Sequence, residues 1–408
     1  MKYGCIGEHL KHSFSKEIHA KIADYEYELC EIPKCELDEF MTRRDFTAIN
    51  VTIPYKERVL PHLYYIDGHA REIGAVNTIV NKGGRLYGYN TDFFGMCELI
   101  RRSGIEVRGK KAAILGTGGT SKTAFAVLTA LGAREILKVS RDACCDAVSY
   151  SELYEKHSDT EIIVNTTPVG MYPGIDKSPV DISRFESLSG VVDAVYNPLR
   201  TRLVSEAKVR GIPAEGGLYM LVAQGVRASE IFTDKKYPDG EIERAFCEAA
   251  SEKENIVLIG MPGSGKSTVA RLIANAAGRE LIDTDELIAS DAKMSIPKIF
   301  EKLGEPTFRD LESAAVMRAA EKTSAVIATG GGAPLREKNL AALRQNGKIY
   351  FLDRPLSALL PTEDRPLAKS AEDVKKLYKE RYEIYRAAAD VIINADASAE
   401  AVMMEILK

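Results

Sequence analysis

The stretch VLIGMPGSGKST, residues 257–268, constrains this chain more than any other. A short apolar strand, 256–259, runs straight into Gly260-Met-Pro-Gly263-Ser-Gly265-Lys266-Ser267, a complete G-x-x-x-x-G-K-[ST] pattern. A helix-type segment follows. In that context successive backbone N–H groups form a nest for phosphate oxygens. Lys266 then reaches the β- and γ-phosphates, and the Ser267 hydroxyl is placed to ligate Mg²⁺. Gly263, Gly265, Lys266, Ser267 and Thr268 are the expected contacts of a nucleoside triphosphate, and a parallel α/β sheet is the expected support.

A second strand-turn-helix pattern, AILGTGGTSKTA, lies at residues 113–124. Residues 112–115 read as a buried strand, and Gly116, Gly118 and Gly119 make the turn. Ala124, Val127, Leu128 and Leu131 then recur at helical spacing. Glycines let the backbone approach a pyrophosphate at a helix start, as dinucleotide sites require. Ser121 stands where the third glycine usually falls. The next strand, 135–139, ends in Ser140-Arg141, where an acidic residue would hold a ribose 2′-hydroxyl. A basic residue there suits a 2′-phosphate, so NADP(H) is expected over NAD. A glycine turn with no ligand is the plain alternative.

Strand-like and helix-like segments alternate along most of the 408 residues, which predicts α/β layering in more than one domain. The two glycine motifs differ in kind, so duplication does not explain them. The polar run SEKEN, 251–255, reads as a solvated linker after a terminal helix over 241–250. Expected domains are 1–100 (joined by C-terminal helices at about 217–250), 101–216 and 256–408. A net charge of −4 without a long basic run argues against a nucleic-acid partner. No stretch of about 18 apolar residues exists, so no membrane span is expected. The N-terminus lacks a signal-peptide core. Seven cysteines without metal-type spacing read as free thiols in a reducing cytoplasm.

The first third carries polar clusters in apolar frames: KHSFSKEIH (11–19), NVTIPYK (50–56), GAVNT (74–78) and GYNTD (88–92). Taken singly, each has an ordinary reading. Ser13 and Ser15 suit helix caps, Asn77 and Asn90 turns, Asp92 a cap, and Lys56 the surface. Taken in order, they closely resemble shikimate dehydrogenase over residues 1 to about 250. NTTPVGM (165–171), DAVYNP (193–198) and GLYMLVAQ (217–224) continue the resemblance. It implies reversible NADPH-dependent reduction of 3-dehydroshikimate to shikimate. It also implies that Ser13, Ser15, Thr52, Asn77, Asp92, Tyr196 and Gln224 hold substrate, with Lys56 and Asp92 as the catalytic pair. Ser140 stands where the family often has Asn, and Asp142 follows the arginine.

Downstream of residue 257, LIDTDELI brings Asp283 and Asp285, FRDLE brings Arg309 and Glu312, and VIATGGGA opens onto glycines 330–332. TEDRPLA carries Arg365, and ERYEIYR carries Arg381 and Tyr385. Arginines gathered around one pocket fit a bound carboxylate. This set resembles shikimate kinase over residues 254 to about 394. The resemblance implies that Asp285, Arg309, Gly331, Gly332 and Arg381 hold shikimate, and that Asp285 orients or deprotonates its 3-hydroxyl. Arg365 on a lid would stabilise the transferring group, and Asp283 belongs to the Mg²⁺ shell. The lid segment LLPTEDR, 359–365, is shorter and more acidic than is usual in the family, so a raised KM for ATP is expected.

The two halves then catalyse consecutive reactions, with ATP-driven withdrawal of shikimate pulling the reduction forward. Two other readings stay open. One is a quinate/shikimate dehydrogenase using NAD, fused to another small-molecule kinase. The other is a catalytically silent sensor of shikimate-type ligands, against which stand Lys56, Asp92, Lys266 and Asp285. A homo-oligomer is left open.

Overall fold

Among the described residues, the apolar segments assemble into three sheets. A computed structural model of the chain describes residues 1–10, 14–141, 146–361 and 366–408. It divides into two compact units, Met1–Ser251 and Glu252–Lys408.

The first unit holds two sheets. β1 (Tyr3–Gly7), β2 (Tyr27–Glu31), β3 (Ala48–Val51), β4 (Tyr65–Ile66), β5 (Thr78–Lys82) and β6 (Arg85–Tyr89) lie in the order β2-β1-β3-β5-β6-β4. β1 runs parallel to β2 and β3, whereas β5 is antiparallel to both β3 and β6. The second sheet comprises β7 (Lys111–Leu115), β8 (Glu135–Ser140), β9 (Ala147–Ser149), β10 (Ile162–Asn165), β11 (Gly190–Asp193) and β12 (Ala214–Glu215). It is wholly parallel, in the order β12-β11-β10-β7-β8-β9.

Period-two alternation sends neighbouring residues of one strand to opposite faces. Ile114, Val164 and Val192 pack on one face with Val127 and Leu128 of the Gly119–Ala130 helix. Leu115, Ile163 and Val191 pack on the other with Leu203 and Val204. Both faces are covered, which is why these strands read as continuous apolar runs. The Leu218–Thr233 helix returns the chain to the first lobe and crosses the Thr91–Ser103 helix. A Cβ on Gly95 would stand 2.6 Å from the Met220 carbonyl, so the crossing is backbone-close.

In the second unit, β13 (Asn255–Ile259), β14 (Glu280–Asp283), β15 (Ala325–Ala328), β16 (Gly347–Asp353) and β17 (Val391–Asn394) form a parallel sheet, ordered β14-β15-β13-β16-β17. Leu258, Val326 and Leu352 pack against Val269 and Ile273 of the Lys266–Ala277 helix.

The expected linker at 251–255 is corrected. The Glu241 helix runs on through Lys253, and Asn255 already belongs to β13. Asn255 is fully buried: its Nδ2 donates to the Lys322 carbonyl at 2.7 Å and its Oδ1 accepts from Ala325 N at 2.8 Å. A polar sequence was read as solvated, but the asparagine is satisfied internally. No described helix is long and apolar enough to cross a membrane.

Candidate functional site

β3 ends at Val51, and the turn after it carries Thr52 and then Lys56. β6 ends at Tyr89, where Asn90 caps the Thr91–Ser103 helix by accepting from Phe93 N at 3.2 Å. The cap fixes Asp92 in the first helical turn, where free N–H groups favour a carboxylate. Lys56 Nζ donates to Asp92 Oδ2 at 2.6 Å, with side chains 24% and 15% exposed. β5 separates β3 from β6 in the sheet, so this meeting follows from strand order.

Asn77 sits just before β5 and is 3% exposed. Its Oδ1 accepts from Thr91 N at 2.7 Å and from Thr78 Oγ1 at 3.0 Å. With the oxygen engaged, the amide has Nδ2 to offer a ligand. Thr91 Oγ1 lies 3.2 Å from Asn77 Oδ1 and 3.3 Å from Gln224 Oε1, and thereby gathers Asn77, Asp92 and Gln224. Gln224 Nε2 is held by the Leu221 carbonyl at 2.9 Å. A Cβ on Gly7 would come within 2.7 Å of Thr52 Cγ2, which places Thr52 over the end of β1. Ser15 opens the Ser15–Ile22 helix, and the Phe14 ring lies 5.2 Å from that of Tyr196.

A buried polar bed lies beneath, which sequence reasoning did not single out. Asn50 Oδ1 accepts from Tyr27 OH at 2.7 Å, and its Nδ2 donates to the Asn77 carbonyl at 3.2 Å. His19 stacks on Tyr27 at 4.0 Å, and burial lowers its pKa to about 3, so it is neutral. Burial pushes the Cys5 thiol up to about 12 and leaves it unreactive. Asn50 and Thr91 stand inside the quoted motifs, but nothing local shows that they are buried.

In the second lobe, Gly116 has φ +103°, and a Cβ there would lie 3.0 Å from Thr166 Oγ1. Only glycine fits both demands. Nothing lies within 4 Å of the Cβ positions of Gly118 and Gly119, so the first N–H groups of the helix face open space. That fits a pyrophosphate. Ser121 is buried in this helix. Ser140 ends β8, one strand from the glycine turn, and exposed Arg141 follows it. Lys122 Nζ meets Glu57, the neighbour of Lys56, at 2.6 Å and links the two lobes. Asp193 supports the turn bearing Tyr196. It accepts from Asn165 Nδ2 at 2.9 Å, Val195 N at 3.0 Å and Thr201 Oγ1 at 2.7 Å.

In the second unit one pocket brings together Lys266, Ser267, Asp285, Arg309, Gly331, Gly332 and Arg381, with Gly263, Gly265 and Thr268 along its phosphate side. Lys266 Nζ donates to the Gly260 and Met261 carbonyls at 2.9 and 3.0 Å. Ser267 Oγ donates to Asp283 Oδ2 at 2.7 Å, a hydroxyl–carboxylate pair suited to a hydrated Mg²⁺. Asp283 also caps the Thr284–Ala292 helix and so sets Asp285 in its first turn. Burial, helped by the Asp283 charge, raises the Asp285 pKa to about 6.

Arg309 is clamped by two carboxylates of its own helix. Nη1 donates to Glu312 Oε2 at 2.9 Å, and Nη2 donates to Glu305 Oε1 at 2.8 Å. A Cβ on Gly332 would collide with this guanidinium, so the glycine makes room for the arginine. Arg381 Nη1 and Tyr385 OH both donate to the Gly331 carbonyl, at 3.3 and 2.5 Å. Glu312 Oε1 is buried without a partner among the described residues. Ser13, Asp142, Arg365 and lid residues Thr362, Glu363 and Asp364 lie outside the described residues.

Known proteins match both units. The family model for the shikimate dehydrogenase substrate binding domain matches residues 5–79, and that for shikimate kinase matches residues 262–408. The shikimate dehydrogenase (NADP(+)) of Clostridium perfringens is 37% identical over 264 residues, covering 60% of this chain and 97% of that protein. The crystal structure of shikimate dehydrogenase 1 from Peptoclostridium difficile matches with a TM-score of 0.55 and 36% identity, over 61% of this chain and 98% of that one. The Thermus thermophilus shikimate 5-dehydrogenase, solved with NADP(H) and shikimate, matches with a TM-score of 0.55 and 31% identity, over 61% and 99%. The chain therefore belongs to the shikimate dehydrogenase family and carries a shikimate kinase domain behind it.

Proposed function

We propose that the first unit reduces 3-dehydroshikimate to shikimate and that the second phosphorylates the shikimate 3-hydroxyl. The observation that carries this is the Lys56–Asp92 contact at 2.6 Å, gathered with Asn77 and Gln224 in the same chain as a complete phosphate loop facing Asp285. When bound, NADPH supplies the hydride and Mg²⁺-ATP the phosphoryl group.

Lys56 donates a proton to the carbonyl oxygen as it becomes an alcohol. Asp92 holds the ammonium in place and accepts from an adjacent substrate hydroxyl. Ser13, Ser15, Thr52, Asn77, Tyr196 and Gln224 orient the ring. Ser140 and Arg141 meet the 2′-phosphate of the dinucleotide. In the second unit, Arg309 and Arg381 take the ring carboxylate, and Gly331 and Gly332 present backbone to it. Asp285 accepts the 3-hydroxyl proton. Lys266 and Arg365 offset the charge that develops on the transferring group. The free cysteines suit a reducing cytoplasm.

The test is one coupled reaction with 3-dehydroshikimate, NADPH and Mg²⁺, run without and then with ATP. Shikimate in the first case and shikimate 3-phosphate in the second are the expected products by mass spectrometry. NADPH oxidation without a phosphorylated product would defeat the kinase half. An unchanged NADPH signal would defeat the reductase half.

A further inference from the structure

Phenylalanine at position 14 breaks a local rule. It occupies the N-cap of the Ser15–Ile22 helix, and its side chain gives that helix no capping hydrogen bond. Serine, threonine, aspartate or asparagine normally stands at such a position, because a side-chain oxygen can accept a free N–H of the first turn. A rule broken in this way points to a gain elsewhere. The ring of Phe14 meets that of Tyr196, with centroids 5.2 Å apart and planes tilted by 58°. Phe14 belongs to the lobe that carries Lys56 and Asp92. Tyr196 follows β11 in the lobe that carries the glycine turn, so the contact crosses between them. Both rings pack against the apolar cluster that includes Ile18, Ile22, Leu218 and Val222. The main chain on either side of Tyr196 is already fixed. Val195 N donates to Asp193 Oδ1 at 3.0 Å, the Val195 carbonyl accepts from Gly217 N at 2.9 Å, and the Asn197 carbonyl accepts from Tyr172 N at 3.1 Å. The Tyr196 hydroxyl makes no hydrogen bond among the described residues, so no polar contact at its tip holds the ring. The tilt of that ring is left to packing, and Phe14 supplies its aromatic side.

We propose that Phe14 is a positioning residue for the dehydrogenase substrate: its ring sets the tilt of Tyr196, and so the place of the Tyr196 hydroxyl on the substrate, across the cleft between the lobes. An aromatic pair is directional in a way an aliphatic contact is not, because ring edge and ring face carry opposite partial charge. An aliphatic side chain of similar bulk would fill the space without fixing the tilt. The proposal rests on the dehydrogenase reading of the first unit and on the role of Tyr196 given there.

The test measures shikimate oxidation with NADP⁺ by the wild-type full chain, by Phe14→Leu, Phe14→Met, Phe14→Tyr and Tyr196→Phe, and by the Phe14→Leu/Tyr196→Phe double variant. Phe14→Leu should raise KM for shikimate about fivefold, with kcat and KM for NADP⁺ within about twofold of wild type. The unchanged KM for NADP⁺ shows that the first unit is folded. Phe14→Met, equally apolar and without a ring, should match the leucine variant, whereas Phe14→Tyr keeps the ring and should stay within about twofold of wild type. Tyr196→Phe keeps the ring contact and removes the hydroxyl. It should raise KM by itself, and in that background Phe14→Leu should change KM for shikimate by less than about twofold. An unchanged KM in Phe14→Leu, or in Tyr196→Phe, would overturn the proposal. So would an equal rise from Phe14→Leu in both backgrounds, since Phe14 would then act without the Tyr196 hydroxyl. A wild-type chain that does not oxidise shikimate would remove the dehydrogenase reading itself, and this proposal with it.

Discussion

The two sites handle their charges in opposite ways. In the first unit the cation and the anion of the proposed chemistry already touch, Lys56 to Asp92, at a partly solvated rim. In the second unit the cations of the proposed chemistry, Lys266 and Arg309, are each held by the protein itself. Lys266 holds two carbonyls of its own loop, and Arg309 is clamped by Glu305 and Glu312. Asp285 is pushed toward neutrality by burial. The ligands account for the difference. A keto acid and its alcohol bring one carboxylate, and the proton donor must be ready before they arrive. A nucleoside triphosphate brings several negative charges, and buried cations awaiting it must be satisfied without it. Under the proposed roles, the kinase ligands displace internal partners, whereas the reductase substrate joins a formed pair.

The largest effects should come from the paired groups themselves. Lys56→Ala should lower the dehydrogenase kcat by about 10²- to 10⁴-fold and leave shikimate phosphorylation intact. Asp285→Asn should do the reverse, with a loss of the same order. NADPH oxidation and ADP release on each variant separate the two. A raised KM with kcat preserved in Lys56→Ala would reduce that lysine to a binding group.

Next is the crowded arginine. Gly332→Ala places a methyl group into the Arg309 guanidinium and should raise KM for shikimate by roughly tenfold or more, with ADP binding retained. An unchanged KM would mean that Arg309 moves aside freely.

The raised Asp285 pKa has two consequences. A carboxyl that must accept a proton works only when ionised, so kinase kcat/KM should fall about tenfold per unit as pH drops below about 6. Stability runs the other way. The folded pKa lies above the ordinary value of 3.8, so the carboxyl costs nothing below pH 3.8 and its ionisation penalty grows as pH rises toward 6. Asp285→Asn should thus stabilise the second unit at pH 8 by up to about 3 kcal/mol and have no such effect near pH 4. Calorimetric unfolding at the two pH values checks the sign.

The smallest effect belongs to the exposed bridge between the lobes. Lys122→Ala should change stability by less than about 1 kcal/mol, because both partners are half in solvent. A larger shift in urea unfolding would mean that Lys122–Glu57 fixes the lobe closure.

Several parts were legible before any fold was drawn. The two glycine turns each predict a strand before and a helix after, because that arrangement points the free backbone N–H groups of a helix start at a phosphate. Those contexts stand at β7 and β13. Ala124, Val127 and Leu128, spaced for one helix face, are fully buried. The sequence singled out Lys56, Asp92, Lys266, Asp285, Arg309 and Arg381 by the motifs that carry them, and the structure brings Lys56 to Asp92 and gathers the other four in one pocket.

Other features could be settled only in three dimensions. Lys56 and Asp92 are 36 positions apart, and they meet because β5 inserts between the strands that carry them. Asn50, Tyr27 and neutral His19 form the floor of the first site, yet nothing in their local sequence distinguishes a buried asparagine from an exposed one. Asn255 shows the same limit in reverse: a residue read as linker is sealed in a strand. The meeting of Phe14 and Tyr196 likewise depends on two lobes coming together from distant parts of the sequence. Local chemistry and periodicity determine which residues can act and which elements carry them. Which groups share a pocket, which lose water and which carboxyl is held near neutrality depend on long-range strand order and burial, which no short stretch of sequence encodes.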